Sequence, residues 1–286
     1  MKIAIITMVY NESFNLPIWV SHYSNQCPGC ELFIIDHGSD MSVRETISGV
    51  NVLRLPRSEF DERRRAEMVS RLHSALLMEF DWVFYTDCDE LIVSANHNTI
   101  SESLAEEEDS VNSIVAVGMN IWHYLGVENE YNRDKRIVDQ RKYATFEKYM
   151  CKPFAARVPI SWIPGFHTSN LPPCFGKGYY LIHIKYIDHE EAIGRLALTS
   201  SLEWGAETLE RGWSSHQRIG ADKLTEKFEN IYSFIAMDSI DEFNFDDEVE
   251  RFVKESVKDS KGNYRSDAKY KGKIVRIPEE VLRLLP

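Results

Sequence analysis

The chain opens on a β-branched run, Lys2-Ile3-Ala4-Ile5-Ile6-Thr7-Met8, which reads as a buried strand. Asn11-Glu12-Ser13 follow with side chains suited to capping a helix, and Leu16, Trp19, Val20 and Tyr23 then recur on one helical face. Positions 32–35 predict a second buried strand, closed by the turn-rich polar stretch Asp36-His37-Gly38-Ser39-Asp40. Positions 50–55 predict a third strand, and 62–79 a helix through Ala66, Val69, Leu72, Ala75 and Leu76. The fourth strand lies in 80–92 and ends in Asp87, Asp89 and Glu90. Strands alternating with helices imply a mostly parallel sheet with helices on both faces and functional loops at the carboxyl ends of the strands. The loops 11–12, 36–40 and 87–90 then converge on one edge.

Further along, 113–119 predict a strand, and 148–157 with 160–167 a strand pair ending at His167. Positions 179–186 predict a strand that holds His183 within an apolar run. Beyond Arg195 the pattern turns helical, over 190–211 and 222–237. An acidic stretch at 238–250 carries Ile240, Phe243 and Phe245. In 258–276 lysines and arginines outnumber acids, which reads as a solvated charge run or as a contact for an anionic acceptor or a membrane surface.

Composition narrows the class. At 286 residues and 43% hydrophobic, the chain can bury a substantial core as one large domain or a domain with an extension. A net charge of -12 argues against nucleic-acid binding, which needs lysine and arginine for the phosphates. No apolar run reaches the length of a membrane span, and the first residues enter a strand without a signal-peptide layout, so a cytoplasmic chain is expected. The five cysteines are scattered apart from Cys27-Pro-Gly-Cys30, which reads as a turn between helix and strand or as a redox pair.

The acidic strand end carries the chemistry. Close carboxylates repel unless a cation or bound protons compensate them, so Asp87, Asp89 and Glu90 point to a hard divalent cation with oxygen ligands; the alternative is a solvated acidic turn.

Three stretches now align. Val9-Tyr10-Asn11-Glu12, then 34–40 (Ile-Ile-Asp-His-Gly-Ser-Asp), then 82–92 (Trp-Val-Phe-Tyr-Thr-Asp-Cys-Asp-Glu-Leu-Ile) each sit at a predicted strand end. In that order they resemble the motifs of GT-A-fold glycosyltransferases, close to the large family-2 type. The resemblance is close over roughly the first hundred residues and looser over about the next ninety. It departs at His37, where family-2 enzymes commonly carry a second aspartate.

The resemblance implies an α/β, Rossmann-like GT-A sheet, mostly parallel and flanked by helices, in residues 1–194, with a helical extension in 195–286. Residues 1–93 would form the donor side and 94–194 the acceptor side. It implies a hexosyltransferase acting, with inversion, from a UDP- or GDP-sugar onto a glycan or glycolipid, as in polysaccharide biosynthesis. The diphosphate would be bridged by Mn2+ or Mg2+. Asn11, Glu12, Asp36 and Ser39 would contact the nucleotide, Asp87 the ribose and metal, and Asp89 and His183 the metal. Asp36 accepts from N–H donors, so uridine or guanosine diphosphate should bind better than the adenosine one. Arg63, Arg64, Arg65 and Arg71 offer positive charge to the phosphates; successive arginines point in different directions on a helix, and Arg71 is the one chosen. Trp122, His123 and Tyr124 are either acceptor-pocket or core residues. Glu128, Glu130 and Asp134 are equal candidates for the catalytic base, with His167 placed near the acceptor. A sugar nucleotidyltransferase would instead carry a glycine-rich, basic loop after the first strand, which Val9-Tyr10-Asn11-Glu12 is not. A non-catalytic carbohydrate-binding relative would keep the aromatics without needing Asp87, Asp89 and His183 together.

Overall fold

The opening β-branched run forms β1 (Ile3–Val9), buried along nearly its whole length at the centre of a sheet. A computed structural model describes residues 1–94, 96–233, 245–266, 273–277 and 279–286. After β1 come α1 (Asn15–Gln26), β2 (Glu31–Asp36), α2 (Val43–Thr46), β3 (Asn51–Arg54), α3 (Glu62–Leu76) and β4 (Trp82–Tyr85). The Glu12 carboxylate caps α1, accepting from the amides of Phe14 and Asn15 at 3.2 and 3.0 Å. Asp61 caps α3 through the Arg64 amide. Then follow β5 (Glu90–Ser94), α4 (Ile100–Ala105), β6 (Ser113–Val115), β7 (Val117–Trp122), β8 (Tyr143–Phe146), β9 (Pro153–Ala156) and β10 (Tyr179–Tyr186).

The first sheet has the order β3-β2-β1-β4-β9-β6, with the first four strands parallel and β9 antiparallel to both neighbours. α1 covers one face through Leu16, Trp19 and Tyr23, which join Ile3, Ile5 and Phe84. α3 covers the other through Ala66 and Val69, against Ala4, Ile6, Tyr85 and Trp162. The expected α/β class, a mainly parallel sheet flanked by helices, is therefore what the chain adopts. A second, mixed sheet continues the chain, with β5 and β7 flanking β10 and β8 beyond β7. The acidic turn lies where the chain leaves β4 in the first sheet and enters β5 in the second.

Several expectations change. The strand foreseen over 113–119 is two strands in different sheets, broken at Ala116, whose amide donates to Lys152 instead of a ladder partner. Positions 160–167 form no strand pair: only a bridge between Trp162 and Ser169 is present, because Gly165 and Phe166 both take positive φ. The helix foreseen over 190–211 is α5 (His189–Ser200) and α6 (Ala206–Glu210), separated where Trp204 bridges to Phe60. The division between 194 and 195 falls inside α5. α7 (Ala221–Ser233), α8 (Phe245–Lys254), the pair β11 (Ser256–Lys258) and β12 (Tyr264–Ser266), β13 (Lys273–Arg276) and α9 (Glu279–Leu282) follow. The final segment is not simply a helical extension, since β13 extends the second sheet beside β8 and Ile277, Val281, Leu282 and Leu285 enter its core. The end of the helix expected to 237, Ile240 and Phe243 of the acidic stretch, and 267–272 of the basic stretch lie outside the described residues. Among the described residues no helix is long and apolar enough to cross a membrane.

Candidate active site

The carboxyl ends of β1, β2 and β4, together with β10, open onto a cavity of about 180 Å³. Met8, His37, Phe60 and Arg65 also line a neighbouring cleft of about 630 Å³. In open α/β sheets this edge is where ligands bind.

Asp87 opens the acidic turn. Its Oδ1 accepts from Arg65 and from the Tyr85 hydroxyl at 2.8 Å, and its Oδ2 lies 3.3 Å from the Lys152 ammonium. Lys152 also pairs with the buried Glu90. Burial opposes ionisation of Asp87, but Arg65 and Lys152 outweigh it and hold the carboxyl well below the usual range. Burial pushes Glu90 up, against the pull of Lys152.

Asp89 stands differently: its Oδ2 is 3.3 Å from His183 Nε2. Burial again opposes ionisation, and His183 overcomes it, lowering the Asp89 pKa to about 2. β10 pairs with β5 at His183 and Glu90, which brings the two strands' ends together. Nδ1 of His183 bonds Asn120 Oδ1 on β7, which orients the ring and leaves Nε2 toward Asp89. Among the described residues no group of three or more His, Cys, Asp or Glu is arranged to hold a metal ion. Asp87, expected beside Asp89 and His183, has its charge already matched by Arg65 and Lys152. The Asp89 carboxylate and the His183 imidazole are the pair that would hold a divalent cation here, and a mixed oxygen and nitrogen set fits Mn2+ better than Mg2+, which prefers oxygen ligands throughout.

His167 lines the same cavity. Gly165 precedes it at φ +84°, and a Cβ there would come 2.8 Å from the His167 ring, so glycine serves both the turn and the ring. Phe166 holds φ +60° because its ring is buried, stacked on Tyr85 with centroids 4.1 Å apart. Nδ1 of His167 bonds the Tyr149 carbonyl. Burial, helped by Lys152, lowers its pKa to about 4, so the ring is neutral at pH 7 with its Nε2 lone pair available.

At the β2 end, Arg57 lies over the Tyr10 ring at 4.0 Å and donates to His37 Nδ1, while His37 Nε2 meets the Ser58 hydroxyl at 3.1 Å. Burial and the charges of Arg57, Arg64 and Arg65 lower the His37 pKa. Gly38 lets the 55–58 segment pass close, since a Cβ there would meet the Arg57 backbone at 2.6 Å.

The other candidates are distributed unevenly. Asp36 was expected to hold base and ribose; it is fully buried, accepting from the amides of Ser39 and Val43 and from Arg54, so it braces its own loop. Ser39 accepts from the Asn11 amide, and Asn11 exchanges two hydrogen bonds with Asp40, so both tie the β1 and β2 loops together. Glu12 lines the cavity. Arg71 is exposed on the outer cleft and paired with Glu67; Arg65, four positions after Asp61 on α3, is the arginine that reaches the acids. Glu128 accepts from the Tyr124 amide and faces Arg141, while Glu130 and Asp134 are exposed. None of the three lines the cavity. Trp122 stacks on Tyr186 at 4.0 Å within a buried cluster, which settles it as core.

Arg57, Lys152, Arg195 and the cavity wall from Leu198 to Gln217 also line the site, with no local sequence signal to mark them. That wall docks on α3: Thr208 accepts from the Glu62 amide at 3.2 Å, and Ser214 donates to the Glu62 carboxylate. Lys185 carried a signal, standing two positions after His183 on the same strand. Burial lowers its pKa, against the pull of Asp89.

No family model and no curated protein matches the sequence. Among solved structures, TarS from S. aureus is similar over 81% of this chain and 43% of its own, at 13% identity and a TM-score of 0.39. S. aureus TarS 1–349 in complex with UDP has the same identity and TM-score over 81% of this chain and 72% of its own. The mannosyltransferase PcManGT from Pyrobaculum calidifontis, in complex with GDP-Man and Mn2+, is similar over 41% of this chain and 35% of its own, at 16% identity and a TM-score of 0.31. The chain thus spans under half the length of the first of these. Likeness at this level carries no argument about activity.

Proposed function

We propose that this protein is a metal-dependent, GT-A-type glycosyltransferase that moves a hexose, with inversion, from a nucleoside-diphosphate sugar to a hydroxyl of a glycan or glycolipid. The observation that carries the reading is the meeting of Asp89 and His183, 3.3 Å apart, on the wall of a cavity at the carboxyl edge of a mainly parallel sheet. The three sequence motifs that resemble this family end on that edge.

In this reading Asp89 and His183 would hold Mn2+ or Mg2+. A divalent cation there supplies electrostatic stabilisation to the departing diphosphate. Arg57 and Tyr10 offer a cation and an aromatic face to the nucleoside. Arg65 and Lys152 keep Asp87 ionised and the acidic turn rigid. Of the cavity's bases, Glu12, Asp87 and Glu90 are each paired with a cation, while His167 and His216 are neutral, and His167 leaves Nε2 open to an acceptor hydroxyl. Exposed Tyr149, whose carbonyl holds the His167 ring, offers a platform for an acceptor sugar at the mouth.

The test is a melting-temperature screen of nucleotide sugars with and without Mn2+, because a ligand bound to the native state raises stability by mass action. A UDP- or GDP-sugar should raise the transition only with the metal present, and the Asp89→Asn variant should lose that gain. Stabilisation by nucleotide sugars that ignores both Mn2+ and Asp89 would contradict the reading.

A further inference from the structure

The cations of the central cavity are matched almost one by one. Arg65 meets Asp87 and Glu62, Lys152 meets Glu90 and Asp87, and Arg195 meets Glu12. Arg57 has Tyr10 and His37 as partners. Lys185 has no ion pair within 4.0 Å and no hydrogen bond among the described residues; Asp89 attracts it from a greater distance, and its ammonium lies 5.7 Å from the centre of the Tyr186 ring. Lys185 also borders an adjoining cavity of about 180 Å³, whose acids are taken too. Glu191 faces Arg133, and Asp188 caps α5 and holds the Tyr131 amide. Lys185 lines both cavities, and a register shift between His183 and Tyr186 marks where β10 departs from regular pairing with β7. Such bulges re-aim side chains beside active sites.

We propose that Lys185 binds the terminal phosphate of the departing nucleoside diphosphate and so stabilises the leaving group. The inference rests on the nucleotide-sugar reading of the site. Residues two apart on a strand are about 7 Å apart, so Lys185 stands one chemical group along from the position of His183. An ionised Asp89, a divalent cation and the diphosphate of a sugar ester sum to one negative charge, which the ammonium neutralises. In transfer, the bond from C1 to the phosphate oxygen breaks and its electron pair stays on that oxygen. The acceptor oxygen bonds to C1, and its proton passes to Nε2 of His167. The diphosphate gains a negative charge in this step, so Lys185 binds the transition state and the free diphosphate more strongly than the sugar ester.

The test is calorimetric titration of wild type, Lys185→Met and Lys185→Arg with UDP, UMP, GDP and GMP, in Mn2+ and in EDTA. Loss of one charge-assisted hydrogen bond should weaken diphosphate binding to Lys185→Met about tenfold and leave the monophosphate unchanged. Lys185→Arg should recover most of the difference. With a turning-over donor, kcat should fall by more than the donor KM rises. If Lys185→Met fails to fold, Lys185→Gln is judged by the same diphosphate-to-monophosphate ratio. An unchanged ratio overturns the role of Lys185 while wild-type nucleotide binding keeps the glycosyltransferase reading intact. Wild type that binds none of the four nucleotides overturns both.

Discussion

Arg195 of α5 lies 3.3 Å from the Glu12 carboxylate and donates to the carbonyls of Tyr10 and Asn11, the latter 184 residues earlier in the chain. One guanidinium thus fixes the exit of β1, the cap of α1 and the edge of the cavity. Arg195→Ala leaves Glu12, whose side chain is 4% exposed, without its cation. We expect a loss of ~2 kcal/mol in urea unfolding, together with weaker nucleotide binding. A variant as stable as wild type would show that the pair does not hold the loop.

Lys152 lies between Glu90 and Asp87, nearly inaccessible to water. Removing one partner of a buried pair strands the other charge, so Lys152→Met should cost about 3–5 kcal/mol. Adding Glu90→Gln to Lys152→Met should return part of that loss, since the stranded carboxylate disappears. Additive single and double variants in a denaturation cycle would show that the two do not interact.

Gly165 serves the backbone and the His167 ring at once. Gly165→Ala should destabilise by ~1 kcal/mol or more and push the ring from its place. Transfer should fall by at least about tenfold while nucleotide affinity stays near wild type, as for a change felt on the acceptor side. Equal losses in nucleotide affinity and transfer would place His167 with the donor instead.

The legible and the hidden parts of this fold differ for physical reasons. Parallel strands buried on both faces are continuous apolar runs, so β1, β2 and β4 stand out in the sequence, and the charges that end them mark the functional edge. Asp36 sits at such an end but turns inward, because a carboxylate that braces the next loop has the same sequence signature as one that faces a ligand. Arg65 is one of three successive arginines, and only the docking of α3 on β4 selects it. Lys152 and Arg195 reach the site from 62 and 184 residues away, distances over which local patterns carry no information. The aromatic and β-branched content of 160–167 imitates a strand, while Gly165 and Phe166 turn the chain.

His22 and His73 are buried outside the cavity, His22 with Nε2 2.7 Å from the Ile92 carbonyl and His73 edge-on to Trp162. Burial lowers both pKa values from 6.5 to about 4, against the backbone groups that favour protonation. The unfolded chain binds these protons near pH 6.5 and the native state does not. Stability is therefore full above pH 6.5, falls as pH drops toward 4 and levels off below it, by about 3 kcal/mol for each histidine. Urea unfolding across this range should show the fall, and His22→Gln should make it shallower. A His22→Gln curve parallel to wild type would contradict the assignment.

The meeting of Asp89 and His183 is the centre of the account, and calorimetric titration of UDP and GDP with Mn2+ present or chelated tests it most directly. Wild type should bind one of the two far more tightly with Mn2+ than in EDTA. Asp89→Asn and His183→Ala should each abolish that difference, with unfolding transitions that still show a folded protein. His167→Ala should retain it. Nucleotide affinity that is indifferent to Mn2+ in wild type, or a metal effect that survives in Asp89→Asn and His183→Ala but vanishes in His167→Ala, would contradict the placement of the site.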